Sequence, residues 1–228
     1  MRSMVLSAAL ILTGSASFAA TLDFLGNDAC VSGANCAVAQ AVSQDYGDVS
    51  GAVDVTYDGD TALDGLQNMY LFGWGYGDPS VVAYSWDPAE AASITFEATA
   101  GNGVSIDGLK ISAFNDYWSR SSRETFLTIS DLFGTVLYNS GALTLAAGEM
   151  WTFTDTVTSA GGLVLEFGTA GGWVGITNIA YNFGPAEQQT TRLAGPPSQT
   201  PAPVPLPASA LLLLAGLGGL TVFRKRSA

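Results

Sequence analysis

The chain has no histidine, and this absence excludes most of the common catalytic designs. Without an imidazole there is no Ser-His-Asp triad, no His-Glu-x-x-His zinc site and no histidine general base. The sequence also lacks a G-x-S-x-G nucleophile elbow, a phosphate-binding G-x-x-x-x-G-K motif and a dinucleotide-binding fingerprint. We therefore predict that the protein is not an enzyme, and we expect no catalytic cofactor.

Basic residues are scarce, whereas acidic ones are common. The chain has 8 basic and 20 acidic residues, for a net charge of −12. Four of the basic residues lie at the two ends, so residues 20–203 carry a net charge of −16, with Lys110, Arg120, Arg123 and Arg192 as their only cations. Such a surface repels nucleic acid, whose binding depends on cationic contacts with phosphate. It attracts divalent cations instead.

Only two cysteines are present, Cys30 and Cys36, with five residues between them. In an exported protein a nearby pair of this kind predicts a disulfide, and Gly33 allows the short loop to close. A metal site would lack histidine partners, and two free thiols are the remaining alternative. The C-x-x-C spacing of redox motifs is absent, so the pair predicts no catalytic role.

The first 19 residues have the pattern of a secretory signal peptide. Arg2 provides the positive start, residues 4–13 form a short apolar core, and Ser17 and Ala19 are small residues at the positions that a signal peptidase reads. We expect cleavage between Ala19 and Ala20. The predicted partners at this end of the chain are the Sec export machinery and signal peptidase.

The last 25 residues, 204–228, have three parts in a fixed order. A proline-containing start that cannot be helical is followed by an uncharged apolar run over residues 208–223, and then by the cations Arg224, Lys225 and Arg226. As a helix the run spans about 24 Å, slightly less than the ~30 Å hydrocarbon core. The cations favour the cytoplasmic side. We expect a single, marginal transmembrane helix rather than a buried core helix, with the domain outside.

The start of this segment reads Val204, Pro205, Leu206, Pro207 and Ala208. With the apolar span and the terminal Arg-Lys-Arg, it resembles the VPLPA-CTERM form of the PEP-CTERM sorting signals. The resemblance implies an exported protein of a Gram-negative bacterium, recognised at the inner membrane by an exosortase-type transpeptidase. The tail would be cut near the motif, and the domain would be released or transferred to the cell surface.

Between the two ends, residues 20–184 show the patterns of β-strands. Val53, Val55 and Tyr57 alternate with polar residues, and Ile94 and Phe96 do the same. Nine to eleven such short segments predict an all-β fold, an antiparallel β-sandwich, with a jelly roll preferred over an immunoglobulin-like topology. Asn102-Gly103 predicts a hairpin, Gly108 predicts a break, and residues 37–42 allow one or two helical turns.

Residues 185–203 differ in composition from the sandwich. They are polar and contain Pro196, Pro197, Pro201 and Pro203, which is typical of an extended linker. The predicted organisation is therefore a signal peptide (1–19), a sandwich domain (20–184), a linker (185–203) and a C-terminal sorting signal (204–228).

Several stretches of the middle region are similar to uncharacterised PEP-CTERM proteins: Tyr76-Gly77-Asp78, Ala113-Phe114 before Trp118, Leu137-Tyr138 with Ser140-Gly141, and Trp173-Val174-Gly175-Ile176-Thr177-Asn178-Ile179. The resemblance implies a jelly-roll or galactose-binding-like sandwich. It implies no catalytic residues.

Carboxylates provide two sets of candidate site residues. Asp58, Asp60 and Asp64, with Asp54 nearby, surround a glycine turn and predict a structural Ca²⁺ site, although Asp-Gly is also an ordinary turn. A glycosidase would instead need two acidic groups about 5–10 Å apart across a cleft. The candidates for such a pair are Glu97, Glu124, Glu149 and Glu166.

Large aromatic residues suggest a third kind of site. Sugar-binding modules stack pyranose rings on exposed aromatic side chains. The strongest candidates are Tyr117, Trp118, Arg120 and Arg123, which combine two rings with two arginines on one segment. For Trp118 and Trp74 a buried and an exposed position both stay open, whereas Trp86 and Trp173 are expected to fill the core.

Together these patterns predict an exported cell-surface or extracellular-matrix protein. We expect a non-enzymatic adhesive or carbohydrate-binding module whose partner is an exopolysaccharide or another glycan. One alternative is a carboxylate-pair glycan hydrolase or lyase, and another is a structural surface protein with no ligand.

Overall fold

The computed structural model describes residues 17–26, 28–31, 38–59, 68–73, 75–77, 81–85, 91–99, 101–115, 121–168 and 173–186. These residues belong to one compact unit, Met1–Ala194. A second unit, Gly195–Ala228, lies outside the described residues and includes the whole predicted sorting signal.

The described chain is all-β, as the sequence predicts. Its fifteen strands pair antiparallel, and the described residues form no helical element. The strands are β1 Phe18–Leu22, β2 Val38–Ala41, β3 Val53–Asp58, β4 Tyr70–Phe72, β5 Val82–Tyr84, β6 Ala92–Ala98, β7 Asn102–Ala113, β8 Arg123–Thr125, β9 Leu127–Asp131, β10 Val136–Asn139, β11 Leu143–Leu145, β12 Met150–Phe153, β13 Val157–Ser159, β14 Gly162–Phe167 and β15 Val174–Pro185.

Two large sheets form the sandwich. The eight-stranded sheet has the order β12-β7-β15-β5-β4-β2, with β1 also paired to β15 and β13 also paired to β7. The five-stranded sheet has the order β10-β9-β14-β6-β3, and β11 and β8 form a separate ribbon. Both large sheets contribute to one buried core, and the ring of Phe96 in β6 lies 5.0 Å from that of Tyr181 in β15. The antiparallel sandwich is therefore confirmed.

The predicted strand alternation is confirmed in the five-stranded sheet. In β3, Val53, Val55 and Tyr57 are buried, whereas the residues between them are exposed. Ile94 and Phe96 of β6 point into the core in the same way. Buried and exposed residues alternate here because one face of this sheet packs on the core and the other faces solvent.

Three local predictions were wrong. Asn102-Gly103 does not turn a hairpin, because β6 and β7 belong to different sheets and the chain crosses the sandwich through a turn in which the Asn102 N–H donates to the Thr99 carbonyl, at 2.9 Å. Gly108 does not break its strand, since β7 continues through it opposite a register shift in β15. Residues 38–41 form β2, because they pair with β4.

Buried tyrosines attach the β2–β3 loop to the sandwich. The Tyr57 hydroxyl donates to the Tyr46 carbonyl at 2.7 Å, and the Tyr181 hydroxyl donates to the Gly47 carbonyl at 2.5 Å. Burial raises the pKa of Tyr46 and of Tyr181 to about 12, and it raises the pKa of Tyr57 further. These phenols are therefore stable only in the neutral form.

The domain should unfold in alkaline solution. Because an unfolded tyrosine ionises near pH 10, stability from the buried phenols is complete below about pH 10 and is lost as the pH rises towards 12. Thermal melts followed by circular dichroism, with tyrosinate absorbance in parallel, test this. A phenolate signal that grew near pH 10 in a fully folded protein would contradict it.

Removal of one cross-sheet contact should show how much the core contributes to the free energy of unfolding. Phe96→Ala should lower the free energy of unfolding by about 3–5 kcal/mol, because it leaves a cavity between the two sheets. Thr95→Ala, its neighbour on the solvent face, should change it by no more than about 0.5 kcal/mol. Urea denaturation measures both, and equal effects would show that the two sheets do not share this core.

Candidate functional site at one end of the sandwich

Two described candidates, Asp58 and Glu166, lie near one end of the sandwich, which we call the loop end. The strand register brings Asp58 opposite Ser93, and Ser93 opposite Glu166, at this end of the five-stranded sheet. In the other sheet, Ala113 lies opposite Val174. Loops at one end of a rigid sandwich are common positions for ligand-binding residues.

Trp173 is the aromatic residue that the structure presents most clearly at the loop end. Its side chain is 36% exposed, and its ring stacks on that of Phe114 at 5.0 Å and 26°. The Phe114 N–H donates to the Trp173 carbonyl at 2.8 Å. The prediction that Trp173 fills the inter-sheet core was wrong, because a backbone φ of 69° removes this residue from the alternation of β15.

Phe114 belongs to an aromatic cluster on the outer face of the eight-stranded sheet. In β4 and β5, Leu71 and Ala83 belong to the main core between the two sheets. The residues on either side of them point to the outer face of the sheet. The buried members of this cluster are Tyr70, Phe72, Tyr76, Val82, Tyr84 and Phe114. Burial raises the pKa of Tyr76 and Tyr84 well above the usual range. The sheet is therefore covered on both faces next to Trp173.

Gly175 makes room for this cluster. A Cβ atom at that position would lie 2.4 Å from a Val82 methyl carbon and 3.3 Å from the Tyr76 ring. Any side chain larger than hydrogen would push these residues away from the sheet. The glycine two residues after Trp173 therefore allows the aromatic cluster to pack directly on β15.

The segments that carry the other predicted rings are joined by a hydrogen bond. The Asn115 N–H donates to the Gly75 carbonyl at 2.5 Å. Gly75 follows Trp74, and Asn115 lies two residues before Tyr117. Trp74, Trp86, Tyr117, Trp118 and Arg120 themselves lie outside the described residues. Arg123 is half-buried in β8, close enough to Tyr76 for its positive charge to oppose the rise in the tyrosine pKa.

A pocket of about 380 Å³ opens where β8, β9 and β10 meet. Its lining consists of Glu124, Thr125, Phe126, Thr128, Asn139, Gly141 and Ala142. The volume lies within the range of small-ligand sites, and the wall offers a carboxylate, hydroxyls and an amide. Sequence reasoning proposed only Glu124, and as a catalytic acid. The pocket was missed because its walls come from strands whose pairing the sequence does not reveal.

Hydrogen bonds hold the wall of this pocket in place. The Asn139 carboxamide oxygen accepts from the Gly141 N–H at 2.7 Å. The Ser140 hydroxyl accepts from the Leu127 N–H at 2.9 Å and donates to the Gly141 carbonyl at 2.8 Å. A wall held in this way can bind a ligand without first paying an ordering cost.

The predicted carboxylate pair is not formed by Glu97 and Glu166. Both lie on the outer face of the five-stranded sheet, but Glu166 pairs with Ser93, four residues before Glu97. This register separates the two backbone positions by about 14 Å, beyond the roughly 5–10 Å that a glycosidase needs. Glu149 is engaged in its own turn, where its carboxylate accepts from the Ala146 N–H at 2.7 Å.

The calcium prediction is left untested. Asp58 ends β3 with an exposed side chain, whereas Asp60 and Asp64 lie outside the described residues. Within the described ranges, no three side chains of His, Cys, Asp or Glu come together as metal ligands.

The predicted processing residues are only partly described. Ala19 and Ala20 lie in β1, opposite Asn182 and Tyr181. Leu22, at the end of that strand, is 2% exposed and would stay in the mature chain after cleavage at Ala19. No described helix is long and apolar enough to cross a bilayer.

Of the two cysteines predicted to form a disulfide, the structure describes one. Cys30 is buried, forms an isolated β-bridge with Val42 and is not a free thiol. Cys36 lies outside the described residues, so the pairing of the two stays a prediction.

No protein-family model and no curated protein matches the chain. Among solved structures it is similar to a family 32 carbohydrate-binding module from C. perfringens NanJ in complex with galactose, at 10% identity and a TM-score of 0.30, over 57% of this chain and 93% of that one. It is also similar to a family 35 carbohydrate-binding module from Clostridium thermocellum, at 9% identity and a TM-score of 0.28, over 57% and 97%.

Proposed function

We propose that the protein is an exported, non-enzymatic glycan-binding module of the cell surface or extracellular matrix, with its ligand site at the loop end. The observation that carries this proposal is the half-exposed Trp173 ring, fixed by its stacking on buried Phe114. The pocket beside Glu124 opens at the same end, since Thr128 and Asn139 of its wall continue the row of Asp58, Ser93 and Glu166.

A fixed indole ring and short polar side chains at the same end of the sandwich suit a sugar. The ring stacks on the apolar face of a pyranose, while the polar groups bind hydroxyls and set the orientation. Glu124, Thr128 and Asn139 provide such groups in the pocket wall. In this proposal Trp74, Tyr117, Trp118, Arg120 and Arg123 extend the binding surface, as the sequence predicts.

Binding is favoured over hydrolysis because a single carboxylate, that of Glu124, is among the residues that line the pocket. Hydrolysis without histidine requires two carboxylates facing one cleft. Glu97 and Glu166 are separated by their register, and Glu149 is held within a turn. Glu124 is the described acid that lines the pocket, so it serves in this proposal as a hydrogen-bond acceptor for sugar hydroxyls.

Export and sorting are part of the same proposal. The signal peptide would direct the chain through the Sec machinery, and the C-terminal span would hold the precursor in the inner membrane. An exosortase-type transpeptidase would then act near residues 204–208, and the sandwich would reach the surface. A glycan-binding module delivered in this way would attach the cell to its own exopolysaccharide or to another glycan.

Removal of the ring should weaken glycan binding without unfolding the domain. Soluble oligosaccharides prepared from bacterial exopolysaccharides are screened on an array, and calorimetry then measures the dissociation constant of those that bind. Trp173→Ala should raise that constant about tenfold, the loss of roughly 1.4 kcal/mol that one stacking contact can supply. Phe133→Ala, which removes an exposed ring far from the loop end, should leave it unchanged.

Three results would refute this proposal. The first is the absence of binding to any oligosaccharide by the folded wild-type protein, and the second is binding by Trp173→Ala that equals wild type. The third is release of reducing ends from polysaccharide that disappears in Glu124→Gln, which would establish the carboxylate hydrolase instead.

Processing of the C-terminus should be visible in the mass of the exported protein. Released protein should lack Phe223, Arg224, Lys225 and Arg226, because cleavage near the Val-Pro-Leu-Pro-Ala motif removes everything that follows. A variant with Pro205→Ala and Pro207→Ala should remain unprocessed in the membrane fraction. Intact-mass spectrometry of the released and the membrane fractions shows which C-terminus each protein carries. A complete C-terminus on released wild-type protein would disprove sorting by this route.

A further inference from the structure

The β9–β10 hairpin exposes four large apolar side chains on an otherwise acidic protein. Leu132, Phe133, Val136 and Leu137 are 37%, 93%, 55% and 43% exposed. We call these four residues the hairpin patch. Contiguous exposed apolar residues on a soluble domain commonly mark an interaction surface.

The turn that carries this patch is held firmly by Asp131. Its carboxylate accepts from the N–H groups of Phe133 and Thr135, at 2.9 and 2.8 Å. The Asp131 N–H donates to the Thr135 carbonyl, and the Gly134 N–H donates to the Asp131 carbonyl, both at 3.0 Å. The Phe133 ring is therefore presented outward by a fixed turn, so that burying it requires little further ordering of the backbone.

The patch continues onto an open edge of the five-stranded sheet. Among the described strands, β10 is the last one at that edge and pairs only with β9. A register shift between Val136 and Tyr138 leaves both Val136 and Leu137 exposed, where regular alternation would bury one of them. The edge therefore offers apolar side chains together with a strand that can accept a partner.

The opposite edge of the same sheet is closed by the protein's own side chains. At β3 the Val55 N–H donates to the Asp48 carboxylate at 2.7 Å. The Gln44 carboxamide accepts from the Tyr57 N–H at 2.9 Å and donates to the Tyr57 carbonyl at 2.8 Å. Proteins block edge strands in this way to prevent unwanted pairing. Among the described residues β10 has no comparable block, so one edge is protected and the other is left available.

Charge indicates which partner fits this edge. Residues 132–148 contain no charged side chain, whereas residues 20–203 as a whole carry a net charge of −16. Another copy of the chain would be repelled at its acidic faces, but it can approach where both surfaces are uncharged. A cationic partner would gain more at the acidic outer faces than at this patch.

We propose that the β9–β10 hairpin is a self-association surface, at which two copies of this chain pair through antiparallel β10 edges and bury the hairpin patch. A two-fold axis makes the same surface of both copies face each other, as in other symmetric dimers. The four side chains expose roughly 400 Å² per copy, about half of the area that a standard interface buries on each partner. The dimer is therefore weak, and it forms at the high local concentration of a cell surface.

This dimer has a consequence for adhesion that depends on the proposed function. Antiparallel pairing of two β10 strands directs the two loop ends away from each other. A pair of modules would then link two glycan chains, and its avidity would exceed the affinity of either site.

Sedimentation velocity of the full chain in mild detergent tests the dimer. Protein concentrations from about 1 µM to about 1 mM cover the dissociation constants expected of a weak interface. The sedimentation coefficient of wild type should rise with concentration. Val136→Lys should raise the dimer dissociation constant at least about tenfold, because a lysine at an edge opposes pairing. Thr56→Lys is the matched control, since it adds the same charge at an exposed position of the blocked β3 edge. Both variants are made in the full chain, so both keep residues 187–228. Thr56→Lys should dimerise as wild type does.

Hydrogen exchange provides a second measurement on the unmodified chain. The amides of Val136–Asn139 should exchange more slowly at high than at low protein concentration. The proposal is overturned if wild type stays monomeric throughout, or if Val136→Lys and Thr56→Lys weaken association equally. It is also overturned if a monomeric protein binds neutral phosphatidylcholine vesicles through the patch, which would assign the hairpin to a membrane instead. None of these outcomes requires glycan binding to be correct.

Discussion

The antiparallel pairing of the 12-residue strands β7 and β15 is the interaction on which the rest of the fold depends. Each of these strands pairs with the other along its length, and each accepts shorter strands on its second edge: β12 and β13 on β7, β1 and β5 on β15. The ladder begins at Ala113 and Val174, directly beside Phe114 and Trp173. The stacked rings of the candidate site therefore continue the best-supported part of the sheet.

The two large sheets differ in what covers their outer faces, and this difference separates the two proposed activities. Near Trp173 the outer face of the eight-stranded sheet is covered by the aromatic cluster, which supports a rigid platform. The outer face of the five-stranded sheet carries polar and acidic residues such as Asp58 and Glu166, and it stays solvated. Its β10 edge carries the uncharged hairpin patch. Ligand binding and self-association thus centre on opposite ends of β10: the hairpin patch lies at its start, whereas Asn139 at its end lines the pocket.

The alternation of buried and exposed residues that the sequence predicts is clear in the five-stranded sheet and absent from β4 and β5 of the eight-stranded sheet. Strands with one solvated face, such as β3, alternate clearly. In β4 and β5 every residue is buried, because a core lies on each side, and so no alternation remains to be read. The same reasoning applies to the candidate site. Trp74 and Tyr117 were proposed from composition and lie outside the described residues, whereas the exposure of Trp173 and the pocket beside Asn139 depend on strand pairing.

What the sequence determined by itself is the fold class, the acidic character and the absence of histidine chemistry, because each follows from residue types and from their spacing along a single strand. It also predicts the targeting segments at both ends, whose patterns are local. The tertiary structure alone decided that β6 and β7 belong to different sheets and that Trp173 faces outward on Phe114. It also decided that β3 is blocked, whereas no described residue blocks β10. These features depend on contacts between residues separated in the chain, such as Gln44 with Tyr57 at the edge of β3 and Phe114 with Trp173 at the ends of two strands.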